Sequence, residues 1–251
     1  MLEFDDVTAL PLLYHLNSEP WLNLDAYAAT SAEVPFPQRV GPESLQLPKS
    51  DEPDGISRVI RRRHSCRDFE AKSMPLETAA ALFAFAYGTF DLVGLPDGHV
   101  ALTRPVPSAG GLYPLQLYAI VLHIEGCADG VFRYEPLHHR LEPVARAPRV
   151  EEASELLLAQ PFISNANLVI FVAAQFQRTL AKYGPRGYRY VLLEAGHVAQ
   201  NLCLLAEERG LATLCIGGFR DAKVNGRLGI DGMREAVVYG VAVGYSASVT
   251  E

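Results

Sequence analysis

The chain has 251 residues, of which 49% are hydrophobic and 20% charged, a balance typical of a globular protein with a sizeable core. The net charge of −7 argues against a nucleic-acid-binding protein, which normally carries a basic excess. No apolar run approaches the about 20 residues of a membrane span. The first residues are acidic rather than basic, which is unlike a signal peptide. We therefore expect a cytoplasmic protein without nucleic-acid or membrane partners.

Residues 1–54 predict an N-terminal arm, and residues 55–251 predict the main domain. Five prolines between residues 35 and 53 disfavour long helices and strands in the arm. The aromatic and apolar segment from Tyr14 to Leu22 is expected to pack on the main domain or on a partner subunit.

Hydrophobic periodicity and turn residues predict the elements of the main domain. The longest is a helix over 188–209, with an apolar stripe in four-three spacing and Gly210 at its C-terminal end. Strands and helices mix without strict βαβ alternation, which favours an α+β fold. Further helices are predicted over 56–63, 75–87 and 149–159, and strands over 113–124, 131–134, 140–144, 168–174, 211–216 and 236–243.

A basic segment follows the first predicted helix and contains four arginines within seven positions. In an extended chain, Arg63, Ser65 and Arg67 would project to one face. Two guanidinium groups and a hydroxyl suit a phosphate or a ring edge rich in acceptors. A solvated basic helix end is the other interpretation.

A loop over 104–114 carries two prolines and two glycines around Ser108 and Ala109. Such a backbone is rigid and can approach a flat ligand closely, although it also suits a plain connection before a strand. Gly217 and Gly218 end a predicted strand. They too suit either close approach to a flat ligand or a plain turn at the end of a strand.

Two further segments carry polar groups around the long helix. Lys182 and Tyr183 lie side by side in a predicted loop rich in glycine and proline. They suit proton transfer if their surroundings shift their pKa values, or else an exposed lysine beside a packing tyrosine. Inside the helix, Gly196 indicates a close contact, and His197 is interpreted chiefly as a buried, hydrogen-bonded histidine.

The four cysteines form neither a C-x-x-C pair nor a cluster with histidines at metal-ligand spacing. We interpret them as free thiols in a reducing compartment and expect no metal site. They are Cys66, Cys127, Cys203 and Cys215.

Taken in order, these segments resemble the nitroreductase family, and within it the SagB/McbC-type azoline dehydrogenases. The resemblance rests on R-H-S-x-R at residues 63–67, P-S-A-G-x-x-Y-P at 107–114, Lys-Tyr at 182–183 and E-A-G-H-x-x-Q-N at 194–201. It implies an α+β nitroreductase fold with a central, mostly antiparallel sheet flanked by helices. It also implies a homodimer that holds FMN in its seam, with the long helix at the interface.

The same resemblance implies residue roles. Lys182 and Tyr183 would be catalytic. The chain ends without the C-terminal Lys or Arg that binds the flavin phosphate in many nitroreductases, so Arg189 or Arg220 would be further candidates for that phosphate. The FMN-binding residues would be Arg63, His64, Ser65, Arg67, Pro107, Ser108, Ala109, Gly110, Gly217 and Gly218.

The function that the resemblance implies is oxidation of a thiazoline or oxazoline in a peptide to a thiazole or oxazole, with dioxygen as acceptor. The ring-forming step would belong to a separate cyclodehydratase or to a non-ribosomal synthetase. One alternative is an NAD(P)H-dependent nitro- or quinone reductase. The chain has no G-x-G-x-x-G motif, so we expect no dedicated Rossmann domain. Another alternative is a non-catalytic flavin-binding partner of a peptide-modifying complex.

Overall fold

The computed structural model describes residues 6–18, 44–48, 53–94, 100–157 and 165–247. The helices are α1 (Asp6–Asn17), α2 (Gly55–Arg62), α3 (Leu76–Tyr87), α4 (Val150–Leu156), α5 (Gln177–Tyr183), α6 (Arg186–Glu208) and α7 (Asp221–Leu228), with a 3-10 turn at Ala109–Gly111. The strands are β1 (Phe69–Glu70), β2 (Asp91–Gly94), β3 (Val100–Thr103), β4 (Leu115–Val121), β5 (Gly130–Glu135), β6 (Arg140–Arg146), β7 (Leu168–Gln175), β8 (Ala212–Ile216) and β9 (Glu235–Ser246).

The main sheet is antiparallel throughout its named strand pairs. Its order runs β6, β5, β4, β7, β9, β8, and β1 pairs with the C-terminal end of β9. Strands β2 and β3 form a separate two-stranded hairpin. The predicted α+β class, with a mostly antiparallel sheet flanked by helices, is confirmed.

Helices cover both faces of the sheet, and β7 shows how the sequence achieves this. Successive side chains of a strand point to opposite faces. Leu168 and Ile170 therefore pack in one cluster with residues of α3 and α6, whereas Val169 and Phe171 pack in a second cluster with α4 and α7. A strand buried on both faces reads as a continuous apolar run, as this one does.

Helix α6 covers the centre of one sheet face with the predicted stripe. Its C-terminal end forms a Schellman motif, because Gly210 adopts φ 69° and the N–H of Leu211 donates to the carbonyl of Ala206 at 2.9 Å. The stripe residues Val191, Ala195, Val198 and Leu202 are buried, and Leu205 is partly buried.

The other predicted elements agree with the structure within a few residues at their ends. The strands predicted over 131–134 and 140–144 form the β5–β6 hairpin, and the turn between them lies at residues 136–139. The elements that were not predicted are α1, β1, the β2–β3 hairpin, the 3-10 turn, α5 and α7. The predicted helix over 149–159 extends beyond the described residues at its C-terminal end.

Helix α1 lies in the predicted arm and packs against the main domain. The His15 ring contacts Phe176 with centroids 5.2 Å apart, and His15 Nδ1 lies 3.2 Å from the hydroxyl oxygen of Tyr188. The rest of the segment from Tyr14 to Leu22 lies outside the described residues after Ser18. Among the described helices, none combines the length and the apolarity that a bilayer crossing requires.

Candidate functional site

Lys182 and Tyr183 complete the last turn of α5, so the prediction of a loop at these residues is wrong. Only Gly184 and Pro185 separate α5 from α6. Gly184 adopts φ 56°, a conformation that glycine reaches without strain, and this allows the sharp change of direction. The Lys-Tyr pair is thus held by helical backbone, which restrains where the two side chains point.

The side chains of Lys182 and Tyr183 meet the backbone of Gly110, within the loop over 104–114. A Cβ built on Gly110 would lie 2.6 Å from the Tyr183 hydroxyl oxygen and 2.7 Å from Lys182 Nζ. Only a residue without a side chain leaves these two groups in place. Gly110 also adopts φ 63°, which independently favours glycine. The structure therefore brings together the predicted catalytic pair and one of the predicted cofactor-binding loops.

This loop is fixed by hydrogen bonds to α6 and within itself. The N–H of Tyr113 donates to Ser108 Oγ at 2.9 Å, and Ser108 also hydrogen-bonds the carboxyl group of Glu194. Asn201 Nδ2 donates to the carbonyl oxygen of Pro105 at 3.4 Å. Residues of the E-A-G-H-x-x-Q-N segment thus hold the P-S-A-G loop in position.

Glu194 is a buried acid to which the sequence interpretation assigned no role. Its side chain lies in the core with 2% exposure, and the hydroxyl of Tyr87 donates to its Oε1 at 2.8 Å. Burial raises the pKa of the Glu194 carboxyl, and it also raises the pKa of Tyr87. The signal in the sequence was a glutamate at a stripe position, three residues after Val191 and four before Val198.

Arg104 secures the start of the same loop. Its guanidinium lies 4.4 Å from the centroid of the Tyr87 ring and 5.5 Å from that of Tyr113. Its Nη1 donates to the carbonyl of Tyr87 at 2.8 Å. These cation–π contacts connect α3 to the loop.

The second group of predicted site residues lies beside β8. Residues 63–68 are extended, and Ser65 pairs in parallel with Thr213, whose carbonyl accepts the N–H of Cys66 at 2.8 Å. Cys66 is buried, whereas Ser65 and Arg67 are exposed and Arg63 is half-buried. His64 and Asp68 are exposed as well, so exposure does not alternate along this segment. The common direction of Arg63, Ser65 and Arg67 stays a prediction.

The described part of the chain provides no ion pair for Arg63 or Arg67. His64 is exposed, and its Nδ1 lies 3.2 Å from the carbonyl oxygen of Arg62. Cations without a carboxylate partner, next to an exposed hydroxyl, fit the phosphate of a flavin mononucleotide. Of the two further candidates, Arg220 is exposed two residues after Gly218, and Arg189 is exposed on α6.

The end of β8 leaves room for a planar group. Gly217 is exposed, and among the described residues a Cβ built on it would meet only the edge of the Tyr239 ring, at 3.9 Å. Gly217 and Gly218 directly follow the strand that holds Ser65, so these predicted residues lie on the same side of the molecule. Together they fit a cofactor with a phosphate and a flat ring.

No hydrogen bond, ion pair or ring contact of the described residues joins the 63–67 segment to Lys182, Tyr183 or Ser108. The 63–67 segment and the group around Lys182, Tyr183 and Ser108 each lie next to α6.

The exposed side of α6 corrects two further expectations. It includes Leu193, Gly196, His197 and Gln200. The interpretation of His197 as buried is wrong, because it lies off the apolar stripe. A Cβ built on Gly196 would meet no neighbouring atom within 4 Å, so no close contact within the described part of the chain requires this glycine.

The chain belongs to the nitroreductase family, a family of oxidoreductases, whose sequence profile it matches over residues 60–245. It is 35% identical over 180 residues to the Methanocaldococcus jannaschii protein MJ1384, described as a nitroreductase, and this alignment covers 72% of the chain and 86% of MJ1384. The resemblance to the nitroreductase fold is confirmed.

A curated relative supports the McbC-type branch, and a solved structure shows the same fold. The chain is 32% identical over 141 residues to the microcin B17-processing protein McbC of Escherichia coli, covering 52% of the chain and 50% of McbC. It spans only about half of that relative. The solved E. coli microcin synthetase McbBCD complex, with truncated pro-MccB17 bound, contains a chain of the same fold. That match has a TM-score of 0.68 at 24% identity and covers 99% of this chain and 95% of that one.

Replacing Glu194 by glutamine should remove a pH-dependent loss of stability. A buried acid with a raised pKa binds its proton more tightly when folded, so stability falls as pH rises from the unfolded pKa through the folded one. Glutamine keeps the acceptor for Tyr87 and cannot ionise. Urea unfolding between about pH 4 and 9 should show Glu194→Gln gaining stability over the wild type only towards higher pH.

The matched control is Glu208→Gln, at an exposed position on the same helix, and it should follow the wild-type pH profile. A Glu194→Gln variant that differs from the wild type by the same amount at every pH would contradict a titrating buried carboxyl.

Proposed function

We propose that this chain is an FMN-dependent dehydrogenase that oxidises a thiazoline or oxazoline ring in a peptide to the aromatic thiazole or oxazole. The observation that carries the proposal is the meeting of Lys182 Nζ and Tyr183 OH at the backbone of Gly110. Two groups capable of proton transfer converge there on a loop suited to a flat cofactor. The relation to McbC, a microcin-processing protein, supports a peptide substrate.

FMN would be held by Arg63, Ser65 and Arg67 at its phosphate and polar ring edge, with His64 beside them. When bound, FMN would supply the hydride acceptor, which no amino-acid side chain provides. Two copies paired through the exposed side of α6 would bring the 63–67 group of one copy towards the Gly110 group of the other. The residues lining the ring would be Pro107, Ser108, Ala109, Gly110, Gly217 and Gly218.

The protein's own residues would handle the proton. Aromatising the ring removes two hydrogens, one of them as a proton from the α-carbon. Lys182 or Tyr183 would accept that proton, and the other group of the pair lies beside it, with Lys182 Nζ 5.4 Å from the centroid of the Tyr183 ring. The loop over 104–114 orients the pair, because Gly110 contacts both side chains and Ser108 is tied to Glu194.

Dioxygen would serve as the final acceptor, and a cyclodehydratase or a non-ribosomal synthetase would form the ring beforehand. The likeness to a chain of the McbBCD complex supports a separate ring-forming partner. The second candidate function is an NAD(P)H-dependent nitro- or quinone reductase, which the 35% identity to the nitroreductase MJ1384 favours.

An anaerobic titration separates the two candidates. FMN-loaded protein is mixed with a thiazoline-containing peptide, and the flavin absorbance and the peptide mass are followed. Bleaching of the flavin with loss of two hydrogen atoms from the peptide supports the dehydrogenase. Flavin that ignores the thiazoline but is bleached by NADPH supports the reductase and overturns the proposal.

Lys182→Ala and Tyr183→Phe should each lower turnover of the thiazoline peptide by about 100-fold or more, the usual contribution of general acid–base catalysis. FMN content should not change. Lys223→Ala and Tyr14→Phe, both at exposed positions away from Gly110, are the matched controls and should retain turnover. Wild-type turnover in both catalytic variants would remove the assigned roles.

Gly110→Ala should lower turnover by about 100-fold, because the new Cβ displaces Lys182 Nζ and Tyr183 OH by enough to spoil their geometry. Gly111→Ala is a strict control. Gly111 adopts φ 64°, nearly the same as Gly110, but a Cβ there meets none of the described residues within 4 Å. Both variants should lose similar stability in thermal unfolding, and only Gly110→Ala should lose turnover. Equal turnover in the two variants would contradict the positioning role of Gly110.

Arg63→Ala and Arg67→Ala should each weaken FMN binding by about tenfold or more, the value of one charge-assisted hydrogen bond of about 1.5–3 kcal/mol. The measurement is the Kd from quenching of flavin fluorescence. Arg61→Ala, at an exposed arginine of the same basic segment, should bind FMN as the wild type does. If all three variants bind equally, the phosphate lies elsewhere.

A further inference from the structure

Two of the four thiols face each other across the boundary between α6 and β8. Cys203 Sγ lies 3.6 Å from Cys215 Sγ. Cys203 is buried, with 2% exposure, whereas Cys215 is exposed. The two other thiols have different neighbours: Cys66 Sγ donates to the carbonyl of Asp68, and Cys127 Sγ donates to the carbonyl of Ala128.

We propose that Cys203 and Cys215 form a reversible redox pair, which hydrogen peroxide or an organic peroxide oxidises to an intramolecular disulfide. Neither thiol has a part in the proposed oxidation of the peptide ring. The pair is therefore a separate modification site, and it does not depend on the proposed function being correct.

The surroundings favour Cys215 as the thiol that reacts first. The Cys203 thiol lies within hydrogen-bonding distance and can donate to Cys215, the Tyr239 hydroxyl forms a second hydrogen bond with Cys215, and the Arg63 guanidinium adds a positive charge. Together they lower the pKa of Cys215 to about 6, against the opposing effect of burial. The same hydrogen bond, together with burial, raises the pKa of Cys203. Of the two, Cys215 is thus the thiol that more readily becomes the thiolate, which is the nucleophilic form.

The chemistry balances in two steps. The Cys215 thiolate attacks one peroxide oxygen, and the O–O bond breaks. Hydroxide departs from the peroxide, and Cys215 becomes a sulfenic acid. The sulfur of Cys203 then attacks the sulfur of Cys215 and displaces the hydroxyl, and its own proton completes a water molecule. Two thiols lose two electrons, and one hydrogen peroxide becomes two waters.

The two sulfur atoms lie close to each other without being bonded. The sulfurs must approach from 3.6 Å to about 2.05 Å, the length of a disulfide. Cys215 is exposed on β8, where a peroxide can reach it from solvent, whereas Cys203 is buried on α6. A thiol reductant that reaches Cys215 from solvent would reverse the reaction by thiol–disulfide exchange.

The first test is peptide mapping of FMN-loaded protein treated with hydrogen peroxide. Trypsin releases the peptides 190–209 and 210–220, which contain Cys203 and Cys215 as their single cysteines. The expected product is these two peptides joined, with the loss of two hydrogen atoms, and separation by dithiothreitol. Cys127→Ser, the matched control, should give the same product, and Cys215→Ser should give none.

Three results would overturn the proposal: unreacted thiols, Cys215 oxidised to sulfinic acid without the joined peptide, or a bond between Cys215 residues of two chains. A second measurement is independent of disulfide formation. Iodoacetamide labelling of Cys215 should reach its midpoint at a lower pH than labelling of Cys127, and this midpoint should move upward in Cys203→Ala. Should Cys203→Ala not fold, the wild-type map and Cys215→Ser still decide the question.

Discussion

Helix α6 must bury a carboxylic acid on the same face that covers the sheet, and the arrangement around that acid determines much of the site. Glu194 lies among the apolar residues of the stripe, where an unpaired polar group would cost stability. Tyr87 and Ser108 supply its hydrogen bonds. The hydrogen bonds to the Glu194 carboxyl therefore connect α3, α6 and the loop over 104–114. This loop contains Gly110, which contacts the Lys-Tyr pair.

The C-terminal half of the same helix positions the other group of residues. Glu207, with a side chain only 12% exposed, pairs with Arg62 at 3.1 Å. This ion pair fixes the end of α2, from which the extended segment leads to β8. Because one rigid helix holds both groups, a shift of α6 would move them together.

The elements with long apolar patterns could be predicted from the sequence, whereas the elements that were missed are mostly short. Burial on one face gives α6 its periodic stripe, and burial on both faces gives β7 its continuous apolar run, so both elements could be predicted. Helices α5 and α7 have seven and eight residues, too few for a clear period, and Pro11 obscures α1. Gly184 and Pro185 made the end of α5 look like a loop. The meeting of Gly110 with Lys182 is a contact between residues far apart in sequence, which no local pattern reveals.

Contacts within the chain explain some glycines of the motifs, whereas others would be explained only by a ligand or a second copy. Gly110 is explained within the chain, since any side chain there would displace Lys182 and Tyr183. Gly196 and Gly217 are not explained in this way, because the described residues leave space for a side chain at each of them. A glycine inside a helix costs about 1 kcal/mol relative to alanine, so Gly196 is unfavourable for α6 alone. Both positions are exposed, on the side of α6 and at the end of β8 where the proposed subunit seam and flavin would lie. Close approach by a second backbone would leave no room for a side chain at Gly196, and a flat ring would leave none at Gly217. The Lys-Tyr pair excludes a side chain at Gly110 for the same reason.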